Sequence, residues 1–216
     1  MLNPAYLFLL HHFSISYSFF HLFLLPPSHL FLLPSPYLPP VWSSFSKPLD
    51  RPVSGHASSV QDGHIFISGG FNSSYQCQAS LYLYHPKKGV SHLANMKQDR
   101  ALHCMEAQGQ CLYVVGGVCN LGTFYSDQLS CELYNVATDS WSALPCLSSP
   151  RVGAASAVLE ERLYILGGSS LEDHKESRVV QRYEPRGQRW ENVGSMPGPN
   201  NDIRACVIRL PAHLRL

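Results

Sequence analysis

Seven cysteines and eleven histidines are the residues of this chain best suited to chemistry, as metal ligands, nucleophiles or acid–base groups. Their spacing supports none of these roles. Common zinc sites pair ligands two to four residues apart. Here no two cysteines form C-x-x-C, and the closest pairs are Cys104/Cys111 and Cys111/Cys119. An odd number of cysteines leaves at least one unpaired in a monomer, and nothing beside them lowers a thiol pKa in a recognisable way. Free thiols in a reducing compartment are expected, with Cys104, Cys111 and Cys206 as small hydrophobes inside strands. His11, His12, His21 and His29 fall within residues 1–50, and the other histidines sit at the beginnings of strands and in turns without ligand spacing. The patterns G-x-S-x-G, H-E-x-x-H, the Walker loop and G-x-G-x-x-G are all absent. Arg178, Arg182, Arg186 and Arg189 form a basic run, but Pro185 and Gly187 exclude helical spacing, so a solvated outer edge is expected. A net charge of +1 points to neither nucleic acid nor an anionic membrane. The expectation is a non-enzymatic chain with no metal and no cofactor.

Two unlike halves make up the chain. Residues 1–46 contain no Asp, Glu, Lys or Arg, and within residues 1–50 Leu, Phe, Pro and Ser number 12, 7, 8 and 8. Tyr6–Leu25 is apolar, yet His11, His12, Ser14, Ser16, Ser18 and His21 each oppose insertion into hydrocarbon, and Pro26-Pro27 follow. No lysine or arginine precedes Lys47, and no small-residue cleavage site follows Leu25, so a signal peptide is not expected. Leu, Phe, Pro and Ser can all be encoded by pyrimidine-only codons, and the segment reads as translation of a pyrimidine-rich stretch. Prolines 26, 27, 34, 36, 39 and 40 forbid regular helix or central strand. Residues 1–50 are therefore expected as a disordered or irregular tail, and the compartment as cytoplasmic.

From Asp50 onward the sequence repeats itself. Three double glycines, Gly69-Gly70, Gly116-Gly117 and Gly167-Gly168, are spaced by 47 and then 51 residues. Each follows an apolar run suited to a buried strand: His64–Ser68, Cys111–Val115 and Arg162–Leu166. Before each run lies a short turn, and before the turn another strand rich in small residues, as the crowded innermost strand of a blade requires. After the glycines a variable loop leads to a third strand ending in Tyr84, Tyr134 or Tyr183. Seven residues further on stand Trp141 and Trp190, with Ser91 in the first place. An outer fourth strand follows. An arginine precedes the first glycine by 16 residues in two units, Arg100 and Arg151, and Arg204 opens what reads as a fourth unit. The expected fold is all-β, a partial propeller of three four-stranded blades plus one strand of a fourth. Its units are residues 51–98, 99–148, 149–198 and 199–216.

With glycines, Tyr and Trp in register, residues 51–216 resemble the kelch repeats of the kelch-like (BTB-kelch) family. The double glycines would take backbone angles closed to other residues. The Tyr and Trp would bury aromatic area between blades. In that family the propeller captures a protein substrate for ubiquitination, while BTB and BACK domains, which are not recognisable in this chain, engage cullin-3. The resemblance implies a substrate-recognition module, or else a kelch scaffold outside ubiquitination that binds the actin cytoskeleton. Carried over residue by residue, it marks Ser80 and Ser130, four before each Tyr, with Val179 in the third place. It also marks Arg100 and Arg151, and it makes Tyr75 and Tyr125 aromatic contacts in the loops. Two residues beyond each arginine position this chain has Gly55, Leu102 and Gly153, which argues against a strongly cationic pocket for an acidic partner.

Overall fold

The computed structural model describes residues 6–11, 51–85, 88–197 and 203–208. In chain order, strand β1 (Tyr6–His11) lies in the tail. The first repeat supplies β2 (Ala57–Gln61), β3 (His64–Ser68), β4 (Leu81–His85) and β5 (Gly89–Leu93). The second supplies β6 (Cys104–Gln108) and β7 (Cys111–Val115), a small hairpin of β8 (Val118–Leu121) and β9 (Phe124–Asp127), then β10 (Cys131–Asn135) and β11 (Ser140–Leu144). The third supplies β12 (Ala155–Leu159), β13 (Arg162–Leu166), β14 (Val179–Glu184) and β15 (Arg189–Ser195), and β16 (Ile203–Ile208) follows. Each repeat forms one four-stranded antiparallel sheet with its strands in sequence order. The innermost strands β2, β6, β12 and β16 lie next to one another around a common axis.

The period-two geometry of a strand explains why these runs are apolar throughout. Successive side chains point to opposite faces, and a sheet flanked by two others buries both. In β7, Leu112 and Val114 pack with Phe66, Leu81 and Met96 of the first repeat. Tyr113 and Val115 on the same strand pack with Leu163, Ile165 and Tyr183 of the third. A third cluster joins Ala155 and Leu166 to Ile203 of β16. The aromatic pairs lie in these seams. Tyr134 and Trp141 touch at 5.0 Å between ring centres, and Tyr183 and Trp190 at 5.2 Å. Each indole N–H reaches back into the preceding repeat, from Trp141 to the Ala94 carbonyl at 2.7 Å and from Trp190 to the Pro145 carbonyl at 2.9 Å. Ser91 of β5 is exposed, so the first sheet lacks this tie.

All six repeat glycines have positive φ. Conformation is only part of the requirement. A Cβ on Gly69 would lie 2.3 Å from the Arg100 carbonyl oxygen, and one on Gly117 would lie 2.3 Å from that of Ala101. The turn between β12 and β13 is less accommodating, because Glu160 and Glu161 both hold positive φ without being glycine.

Two features depart from the sequence reading. The tail, expected to be irregular, contributes β1, which pairs antiparallel with β16 from Tyr6↔Ile208 to His11↔Ile203. This span precedes Pro26-Pro27, so its N–H groups are free to pair. The remainder of the expected irregular tail lies outside the described residues. The variable loop of the second repeat is itself a hairpin, closed by Gly122-Thr123 with Leu121 opposite Phe124.

Candidate functional site

One end of the molecule gathers the segments that lead into the inner strands and the loops that leave the double glycines. Isolated bridges tie them together: Ser54 to Phe71, Gln78 to Arg100, Ala101 to Val118 and Val152 to Ser169. Here the structure places every residue that the sequence marked for partner contact, but with different exposures.

Arg100 and Arg151 point inward and are buried completely or almost so. Arg100 donates to the carbonyls of Gly116 (3.1 Å) and Ser130 (2.9 Å), to the Ser130 hydroxyl (3.0 Å) and to Glu132 Oε1 (2.7 Å). Glu132 also accepts the backbone N–H groups of Lys97 (2.8 Å) and Gln98 (3.2 Å), so one carboxylate clamps the connector between two sheets. Arg151 repeats the motif with neutral partners, donating to the Gly167 carbonyl (3.1 Å), the Ser177 hydroxyl and Gln181 Oε1 (3.2 Å). Both guanidiniums are therefore staples within a blade, not exposed contacts. Ser80 and Ser130 are half-buried, and the Ser80 carbonyl accepts the Gly69 N–H at 2.9 Å. Ser177 holds in the third repeat the place of Ser130 against the arginine. It lies six residues before Tyr183, so a fixed offset of four misses it.

Tyr75 and Tyr125 do come together. The Tyr125 hydroxyl donates to the Tyr75 carbonyl, and the Tyr125 ring meets Phe71 edge-on at 5.2 Å. Around them the surface is apolar. Tyr75 is 74% exposed, Phe124 77%, Leu121 65% and Leu102 41%. Leu102 and Phe71 both lie within contact distance of the Gly55 α-carbon's open side, and Phe71 meets Tyr125 on one face of the hairpin, while Leu121 and Phe124 share its other face. Leu102 holds φ +55 where the neighbouring repeats have Gly55 and Gly153. Its N–H bonds the Gly55 carbonyl at 2.8 Å and its carbonyl accepts the Gly153 N–H at 2.9 Å, a chain of bonds across three repeats. Left-handed backbone at a leucine is unfavourable, and strain of this kind collects at functional positions. The sequence marked Leu102 only as a departure from a cationic pocket, and it did not single out Leu121 and Phe124. The Gly122-Thr123 pair between two short alternating runs was the available signal for the last two.

The hairpin is latched on both sides. Asn120 bonds Cys77 through both ends of its amide (3.1 Å each) and donates to Asp99 (2.6 Å). Asp127 accepts from the Ser170 hydroxyl (2.7 Å) and the Leu171 N–H (2.7 Å). Burial pushes the thiols of Cys77, Cys104 and Cys131 up to about 12, away from the reactive thiolate. No metal-ligand cluster is found among the described residues, and no helix there is long and apolar enough to cross a membrane.

Comparisons with known proteins agree with this architecture. The family model for the Kelch motif matches residues 52–94, 99–148 and 150–197. Kelch-like protein 36 of Mus musculus is 30% identical over 174 residues, covering 77% of this chain and 28% of that protein. Kelch-like protein 26 of Danio rerio is 26% identical over 164 residues, covering 76% and 27%. The chain thus spans little more than a quarter of the length of these relatives. Among solved structures, that of YjhT superposes with a TM-score of 0.64 at 16% identity, over 73% of this chain and 56% of that one, which bears on fold alone. With three motifs in register over most of its length and kelch-like proteins as its relatives, the chain belongs to the kelch family of β-propeller repeat proteins.

Proposed function

We propose that this chain is a protein-recognition module that captures a partner on its loop end, in the manner of the substrate-recognition propeller of a cullin-3 ubiquitin ligase adaptor. The observation that carries the reading is the gathering of exposed apolar side chains at this end, Leu102, Tyr125, Tyr75, Phe124 and Leu121, with half-buried Phe71 beneath Tyr125. Rigid exposed aromatics on a latched scaffold are the usual anchors of protein recognition. The kelch-like relatives support the ligase setting, with cullin-3 met through BTB and BACK segments and not through the repeats. A cytoplasmic site of action accords with seven free cysteines.

Proximity labelling in cells with the wild-type chain and with Leu121→Ser/Phe124→Ser tests the reading. A defined subset of partners should disappear with the variant, and those partners should accumulate on cullin-3 depletion. Identical partner sets would overturn the recognition site. Partner loss without any cullin-3 dependence, together with co-sedimentation on actin filaments, would make the chain a cytoskeletal scaffold. Direct capture of cullin-3 by the 216-residue chain alone would refute the division of labour.

A further inference from the structure

The apolar surface described above sits in an unusual electrostatic setting. From Phe71 to Ser80 and from Val118 to Ser130 there is no lysine or arginine. The two arginines nearest to it, Arg100 and Arg151, are enclosed and spent on carbonyls and side chains inside their blades. Carboxylates flank the hairpin instead. Asp99 lies on the side of the first repeat, bound by Asn120. Asp127 lies on the side of the third, where the exposed Glu172 follows. None of these three carboxylates is in an ion pair among the described residues. In the adjoining loop Asp173 is paired with Lys175 at 2.9 Å. Exposed cations of this end, Arg51, Lys97, Lys175 and Arg178, stand in the segments that lead into β2, β6 and β14 and in the third-repeat loop. Exposed aromatic faces attract cations as well, through the ring quadrupole.

Resting on the reading of the loop end as the recognition site, we infer that its partner is a linear protein segment that combines an aromatic or aliphatic anchor with lysine or arginine. The anchor seats against Phe124 and Leu121, which share one exposed face of the hairpin. The basic residues face Asp127 and Glu172, or lie over the exposed tyrosine and phenylalanine rings. An acidic segment would meet no lysine or arginine from Phe71 to Ser80 or from Val118 to Ser130 and would face carboxylates at both flanks. Leu102 extends the apolar contact toward the inner strands, which favours a second aliphatic residue several positions from the first.

A random dodecapeptide phage library panned on the folded 216-residue chain provides the test. Enriched peptides are then synthesised and measured by fluorescence anisotropy against wild type, Phe124→Ser and Glu172→Lys. Both side chains are exposed, and thermal melts confirm that the variants fold. The expected peptides pair an aromatic or aliphatic residue with a net positive charge. Phe124→Ser should weaken them about tenfold or more. Glu172→Lys should weaken them about three- to tenfold, with a matching loss at high salt. Enriched acidic peptides that still need Phe124 would overturn the basic-partner inference and leave the recognition site standing. Peptides indifferent to Phe124 would overturn both. Enrichment no greater than on an empty support would refute a linear partner.

Discussion

Arg100 and Glu132 offer the sharpest way to separate a buried staple from a binding residue. Replacing Arg100 by methionine keeps most of the side chain's volume but leaves the Glu132 carboxylate enclosed, with side-chain exposure of 3%. That carboxylate would retain only the Lys97 and Gln98 N–H groups as donors. Removing one partner of a buried ion pair costs about 3–5 kcal/mol, against a total stability of about 5–15 kcal/mol for a domain. Glu132→Leu alone strands the guanidinium in the same way and unsatisfies two N–H groups in addition. In the double variant no unpaired charge remains, and the residual cost is that of the two orphaned N–H donors and of the Gly116 and Ser130 oxygens that lose the guanidinium, about 1–3 kcal/mol for each group left unsatisfied. The double variant should therefore lose far less than the sum of the singles. The coupling should amount to several kcal/mol in urea unfolding, read from midpoints at constant m-value. Partner affinity per folded molecule should stay unchanged in Arg100→Met. Additivity within about 0.5 kcal/mol would refute the ion-pair reasoning. Full stability with lost partner binding would show that the guanidinium works at the surface, as the sequence alone suggested.

Leu102→Gly should relieve left-handed strain and raise stability by about 0.5–1 kcal/mol after the entropy of glycine is subtracted, while partner affinity falls; a loss of stability would mean that packing holds the leucine. Replacing Glu160-Glu161 by Asn-Gly, the pair suited to two positive φ values, should stabilise the chain by about 1 kcal/mol or more in thermal or urea unfolding without touching the recognition end. His103 is fully enclosed, its Nε2 is 2.8 Å from the Ser68 hydroxyl, and burial, followed by the Arg100 charge, holds its pKa well below 6.5. The unfolded chain therefore binds a proton first as the pH falls, and stability should drop below pH 6.5. Between pH 7 and 5 the wild type should lose more stability than His103→Gln; equal losses would show that His103 is not held neutral.

The repeat was legible because its marks are local. Double glycines, a Tyr at a strand end and a Trp seven residues later are fixed by turn and strand chemistry within one blade, so spacing alone exposes them. The direction of Arg100 was not, because its partners Ser130 and Glu132 lie some thirty residues away and nothing local tells a buried guanidinium from an exposed one. Ser177 escaped because Val179 keeps the backbone place of Ser80 and Ser130, its carbonyl accepting the Gly167 N–H, while the hydroxyl that meets Arg151 comes from two residues upstream. The hairpin was hidden by treating every post-glycine loop as irregular, although Leu121-Gly122-Thr123-Phe124 carries ordinary turn chemistry. Leu102 was visible only as a departure from a cationic pocket, since positive φ cannot be read from a leucine.

The backward reach of the tryptophans has a consequence for biosynthesis. Trp141 and Trp190 each dock on a carbonyl of the preceding repeat. Because translation runs from the N-terminus, the acceptor has always left the ribosome before its indole does. Each blade can therefore seat on a neighbour that is already formed, and the propeller can assemble vectorially during synthesis without waiting for later repeats.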